Sequence, residues 1–188
     1  VIQSLFEYIG LPYTHSGPLS SMLAMNKYFS KKLFVKNNIK TPRYFFLGKK
    51  DFSIGIVKKK IKKNKLKFPI VLKPNDEGSS IGVKITKNIK DLKKNIMHLR
   101  KNYETLLLEN FVSGQEIQVA VLNGKAIGAI ELKPKRKFYD YKAKYNASSK
   151  TEHIIPVNIS KKNYNKVNAI AMKVHKLLKC RGVSRSDF

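Results

Sequence analysis

Short apolar runs alternate along the chain with stretches of helical period. Residues 66–73, LKFPIVLK, form a compact apolar run that predicts a strand ending at Lys73. The segments RYFFLG (43–48), VKIT (83–86) and TLLLENFV (105–112) read the same way, the last interrupted by Glu109. Residues 20–38 read as helical, with Ser20 or Ser21 as N-cap and Lys40-Thr41-Pro42 closing the region. Residues 89–103 set Ile89, Leu92, Ile96, Leu99 and Tyr103 on one helical face. Residues 160–179 do so with Tyr164, Val167, Ile170, Val174 and Leu177, behind Ser160 as a cap. QEIQVAVL, the dipeptide Asn123-Gly124 and KAIGAIEL predict a β-hairpin. GVSRSDF, at the end, reads as a strand that breaks off as it begins. Helices and strands alternate, with antiparallel hairpins between, so the expected class is α+β rather than a doubly wound parallel sheet.

Composition bounds the remaining choices. With 188 residues and 42% hydrophobic content the chain can bury one substantial core or two small ones. No apolar run approaches the roughly 18 residues of a membrane span. The opening VIQSLFEYIG lacks the basic and long apolar regions of a signal peptide. It also lacks an initiator Met, which suggests a start inside a longer protein. Cys180 is the single cysteine, so no disulfide framework forms and a reducing, cytoplasmic setting fits. No internal repeat or low-complexity linker interrupts the chain.

The formal net charge of +27 changes the picture less than its size suggests. The positive residues are mostly Lys, spread from Lys27 to Lys179, amid abundant Asn and Ile. All three have A/T-rich codons, so genome composition can produce this balance without a polyanion partner. The densest cluster, VKKKIKKNKLKF (57–68), reads either as an exposed helix face or as a nucleic-acid patch. The charge should raise non-specific binding to polyanions at low salt.

Candidate chemistry concentrates in KPNDEGSSIGV, residues 73–83. The link is longer than an ordinary hairpin turn and carries two glycines, two hydroxyls and little bulk. Such a loop is either a solvent-exposed connection or a lid that offers N–H groups and Ser hydroxyls to anionic oxygens, with Lys73 as a point charge beside it. The spacing matches neither the Walker loop nor the G-x-G-x-x-G fingerprint. Glu109-Asn110-Phe111-Val112 joins two strand regions and offers an acid and a backbone edge to a purine, or is a plain strand end. FYDYKAKY (138–145) is unusually aromatic for a loop. Arg185 and Asp187, two apart on a strand, share a face, so a cation and a metal-binding carboxylate can serve one site. Lys27 lies on the early helical region.

In combination and in order, LPYTHSG, AMNK, KPNDEGSSIGV, LLENFVSGQE, FYDYKAKY and CRGVSRSDF resemble the blocks of the D-alanine–D-alanine ligases, of the ATP-grasp superfamily. The resemblance covers essentially all of the chain. It implies an α+β ATP-grasp fold: residues 1–17 as a remnant of an N-terminal α/β domain, 18–110 as the central domain, and 111–188 as a truncated C-terminal domain. VIQS resembles the tail of the family's N-terminal signature, and the metal-ligating Glu and Asn of the family fall beyond Phe188. Full-length activity implied is ATP-dependent joining of two D-alanines through an acyl phosphate, for peptidoglycan precursors; the 188 residues alone are expected to be inactive. Another ATP-grasp carboxylate ligase, such as a D-alanine–D-lactate ligase, is the nearest alternative, and a basic nucleic-acid-binding protein the alternative from another class. Tyr145 favours an amine nucleophile within the resemblance.

By the same resemblance Lys27, Lys73 and Lys144 contact ATP phosphates, and Gly78, Ser79 and Ser80 close over the γ-phosphate. Ser79 and Tyr145 help orient the first D-alanine. Glu109, Phe111 and Val112 hold adenine, and Glu116 the ribose. Arg185 stabilises the tetrahedral intermediate, and Asp187 binds Mg²⁺ or Mn²⁺. A cytoplasmic homodimer with ATP and D-alanine as its small-molecule partners, and no specific nucleic acid or membrane, completes the expectation. His15, Asn26, Lys142 and Ser186 depart from the family pattern, Lys142 bearing most on loop closure.

Overall fold

The structure is a computed structural model that describes residues 2–133 and 151–188. Its helices are α1 (Ile2–Tyr8), α2 (Pro18–Met25), α3 (Lys27–Lys36), α4 (Ile54–Lys63), α5 (Ile89–Leu99) and α6 (Lys161–Leu177). Its strands are β1 (Tyr44–Leu47), β2 (Ile70–Pro74), β3 (Lys84–Thr86), β4 (Leu106–Asn110), β5 (Glu116–Leu122), β6 (Lys125–Lys133), β7 (Glu152–Ile154) and β8 (Val183–Asp187). The chain divides into two compact units, residues 25–113 and residues 1–24 with 114–188. No helix among the described residues is long and apolar enough to cross a membrane.

In the 25–113 unit the strands form one antiparallel sheet in the order β1-β4-β2-β3. Residues paired across antiparallel strands share a face, and faces alternate along each strand. Phe45, Leu47, Ile70, Leu72, Leu106 and Leu108 therefore line one face, where Val57 of α4 and Leu92, Ile96 and Leu99 of α5 close the core. The lysine-rich segment is α4, whose Ile54, Val57 and Ile61 meet this core while Lys58, Lys59, Lys62 and Lys63 stay exposed. The opposite face carries Tyr44, Phe46, Val71, Lys73, Leu107 and Glu109.

In the other unit the sheet order is β7-β6-β5-β8, again antiparallel. The hairpin turns at Asn123 and Gly124, both with positive φ, +47° and +80°, as a tight two-residue link requires. A register shift at Ala120/Val121 leaves Ile127 without a partner strand residue, and it is exposed. Ile117, Val119 and Val121 pack with Ala129, Val157 and Ala171 of α6. His175, on the same helix, is buried and its Nδ1 lies 2.7 Å from the Ser184 Oγ of β8.

Four local features differ from the sequence pattern. The single helix expected over 20–38 is two, because Asn26 adopts an extended conformation (φ −84°, ψ 103°) and accepts from the Phe29 N–H as N-cap of α3. Ser20 and Ser21 are not caps: α2 starts at Pro18, and the Ser20 hydroxyl donates to the Lys179 carbonyl at 2.7 Å. β2 begins at Ile70, after Pro69, which has no N–H to donate. Helix α5 ends at Leu99, and Tyr103 packs on the core from beyond its end.

Candidate functional site

Helix α3 lies against the polar face of the 25–113 sheet, and its first two turns direct two lysines at it. Lys27 and Lys31 are four apart, hence on one helix face. The Lys31 ammonium sits 2.7 Å from Glu109 Oε2, with side chains 9% and 8% exposed. It also donates to the Thr41 hydroxyl at 2.6 Å and lies 4.6 Å from the centre of the Tyr44 ring. Glu109 Oε1 is ion-paired to Lys73, whose side chain is 23% exposed. One carboxylate is thus held by a cation on each oxygen. Burial pushes the Glu109 carboxyl up, but Lys73 and Lys31 outweigh it and hold its pKa below the usual value. Burial drives the Lys31 pKa down, and Glu109 opposes that only in part.

Lys27 reaches the start of the serine loop. Its ammonium donates to the Asn75 carbonyl at 3.1 Å and to the Glu77 carbonyl. Burial first, and then the charge of Lys73, lower its pKa to about 8. The loop's start is fixed by further bonds. Buried Asn75 accepts from the Tyr28 N–H at 2.9 Å through its side chain, and its own N–H donates to the Thr105 carbonyl at 3.1 Å. Asn26 donates to Asp76 Oδ1 at 2.6 Å, so the Asn that departs from the family pattern both caps α3 and grips the loop. Burial first, and then the Glu77 carboxylate, push the Tyr103 pKa up.

The serine loop ends in a compact double turn. Ser79 and Ser80 both have positive φ, +50° and +62°, and the Ile81 N–H donates to the Gly78 carbonyl at 2.9 Å. Non-glycine residues are uncommon in this conformation, and such strain gathers at functional sites. Gly82, with φ +69°, abuts the Pro74 ring.

Phe111 and Val112 follow β4. The Phe111 N–H donates to the Pro69 carbonyl at 3.2 Å, and Val112 is 68% exposed. In the other unit Gln118 pairs with Asp187 and Ala120 with Arg185, so Glu116, Arg185 and Asp187 share one side of that sheet. The Arg185 Nε donates to Asp187 Oδ1 at 2.9 Å. Ser186 lies opposite fully buried Val119, on the core side. Lys142, Lys144 and Tyr145 lie outside the described residues. Of the residues named from sequence, Lys27, Lys73, Glu109 and the serine loop therefore assemble within one unit, and Glu116, Arg185 and Asp187 on one face of the other. A cleft of about 880 Å³ in the latter unit, lined by Asn123, His175 and Cys180 among others, contains none of them. Sequence reasoning missed Lys31 and Asn75; the four-residue spacing of Lys31 from Lys27 was the available signal.

The folds have clear counterparts. The family described as D-ala D-ala ligase C-terminus matches residues 33–188. A D-alanine–D-alanine ligase of Pelagibacter ubique (strain HTCC1062) is 51% identical over 187 residues, covering 100% of this chain and 60% of its own length. The crystal structure of the D-alanine–D-alanine ligase from Bacillus anthracis superposes with TM-score 0.82 at 31% identity, over 100% of this chain and 59% of that one. Its complex with ATP gives TM-score 0.79 at 26% identity, over 100% and 57%. The class is thereby fixed as an α+β protein of ATP-grasp fold. Within that class, the chain belongs to the D-alanine–D-alanine ligase family. It spans about three fifths of the length of the curated relatives it matches.

Proposed function

We propose that the chain carries nucleotide- and substrate-binding parts of an ATP-dependent D-alanine–D-alanine ligase that makes D-alanyl-D-alanine for peptidoglycan. The observation that carries this reading is the charge of the α3–β2–β4 cluster. Lys31 and Lys73 flank the Glu109 carboxylate, and Lys27, close to Lys73, Asp76 and Glu77, reaches a strained, hydroxyl-bearing loop. Ammonium groups clustered beside such a loop suit a polyphosphate, which would draw on Lys27 and Lys73. ATP bound by the solved relative supports the same ligand.

In this reading residues 18–110 and 111–188 are the two grasping domains, and residues 1–17 belong to a preceding one. Glu109, Phe111 and Val112 hold adenine and Glu116 the ribose. Ser80 closes over the γ-phosphate with Lys144, while Ser79 and Tyr145 orient the first D-alanine. ATP phosphorylates the carboxylate of that D-alanine, and the amine of a second attacks the acyl phosphate and expels phosphate. Both steps build negative charge on oxygen, which fixed cations and N–H groups stabilise. Arg185 does so for the tetrahedral intermediate. Mg²⁺ commonly binds through one or two carboxylates and the nucleotide's own phosphates. Asp187, half-exposed beside Arg185, fits as one such ligand, and the metal would there neutralise phosphate charge. A cytoplasmic homodimer suits this chemistry.

The test is a chimera in which these residues replace the matching segment of the 51% identical relative. Phosphate release that needs both ATP and D-alanine is expected, with D-lactate a poor second substrate, and Lys73→Ala should raise the KM for ATP and lower kcat. A folded chimera that releases no D-alanine-dependent phosphate would refute the reading.

A further inference from the structure

Two lysines hold the Glu109 carboxylate, and their surroundings differ. Lys73 is 23% exposed, on the strand that leads into the serine loop, so in the nucleotide-site reading a phosphate would compete with Glu109 for it. Lys31 is 9% exposed and has no such freedom. Its ammonium is enclosed by Glu109 at 2.7 Å, the Thr41 hydroxyl at 2.6 Å and the Tyr44 ring at 4.6 Å. If Lys73 moves to phosphate, Glu109 loses one of two counterions while 8% exposed. A buried carboxylate with no partner is strongly unfavourable. Lys31 removes that difficulty by staying in place.

We propose that Lys31 is a positioning residue, the standing counterion that keeps Glu109 ionised and aimed while Lys73 is released to the nucleotide phosphates. The inference rests on the nucleotide-site reading above and deepens it. Lys31 touches no phosphate; it acts through Glu109. In the ligand-free Lys31→Met variant Lys73 still pairs with Glu109, so a neutral pair and a folded chain are expected. The deficit appears only when ATP must take Lys73 away. Binding then either leaves Glu109 unpaired or forgoes the Lys73–phosphate contact.

The experiment titrates ATP into the 188-residue chain and its variants by calorimetry, with circular dichroism to check folding. Lys31→Met should weaken ATP binding about tenfold or more, a loss of about 1.4 kcal/mol per tenfold. In a Glu109→Gln background, where no charge needs a counterion, the same substitution should cost nothing or improve binding. Equal losses in both backgrounds would make Lys31 merely structural and overturn the proposal. A second measurement needs no variant: lysine Nζ NMR of the wild-type chain with and without ATP. The Lys73 ammonium signal should move and that of Lys31 stay; the reverse would overturn the exchange. Wild-type chain that binds no ATP would sink the nucleotide-site reading together with this inference. ATP binding unaffected by Lys31→Met would sink the inference alone.

Discussion

Replacing Gly82 with Ala isolates the strain at the closing end of the serine loop. The residue has φ +69°, and an added Cβ would lie 2.7 Å from Pro74 Cγ, 3.0 Å from Pro74 Cδ and 3.4 Å from Leu99 Cδ2. The first two distances are well inside van der Waals contact. Pro74 cannot yield easily: it is fully buried, and its backbone is paired with Leu106 in the sheet. A Cβ in the left-handed region costs about 1–2 kcal/mol, and overpacking a filled site adds about 1–3 kcal/mol. The sum, about 2–5 kcal/mol, corresponds to a fall in melting temperature of about 5–15 °C for a chain of this size. Gly78→Ala is the internal control, since an added Cβ there meets nothing within 4 Å. It should change stability by less than about 0.5 kcal/mol. Thermal unfolding followed by circular dichroism measures both. Matching midpoints for the two variants would show that the loop relaxes around residue 82, and the packing argument would fail.

Two further outcomes follow from buried groups. Lys27 has a pKa near 8, against an ordinary 10.5, so the unfolded chain binds the extra proton between those values. Stability should therefore rise with pH from about 8 to 10.5 relative to Lys27→Met, as read from denaturant midpoints. A bound phosphate favours the charged lysine, so ATP affinity should fall as pH rises through about 8, which calorimetry across pH 6.5–9.5 checks. Leu108→Ala removes a fully buried side chain from the 25–113 core and should cost about 2–5 kcal/mol by urea unfolding.

Helical period located α5 and α6, which bury one face, while β2 and β4, covered on both faces, were legible as continuous apolar runs. The hairpin at Asn123-Gly124 was legible for a further reason, since few dipeptides satisfy two successive positive φ values. The break at Asn26 was not. AMNK continues a helical composition, and only the loop residues Asn75 and Asp76, some fifty positions on, favour a cap there. The site was legible wherever a residue type is unusual for its element, as with Lys73 and Glu109 in apolar strands. Lys31 was hidden because its four-residue spacing from Lys27 does not stand out in a lysine-rich helix; its role depends on a partner 78 positions away that burial alone reveals.

The run Leu106-Leu107-Leu108-Glu109 also explains why core and site are hard to separate in this unit. Leu106 and Leu108 face α4 and α5, while Leu107 and Glu109 face α3. Along a strand, a slip of one residue exchanges the two faces. Such a slip here would push Glu109 into the apolar core and expose a leucine to the lysines. The cost of burying that carboxylate among leucines far exceeds what any single side chain contributes to stability. The hydrophobic pattern that forms the core therefore also fixes the register that sets Glu109 between Lys31 and Lys73. Selection on packing at Leu106 and Leu108 and selection on charge at Glu109 act on the same degree of freedom. The carboxylate can be as buried as it is because the two lysines arrive from different elements, one from a neighbouring strand and one from α3 above the sheet.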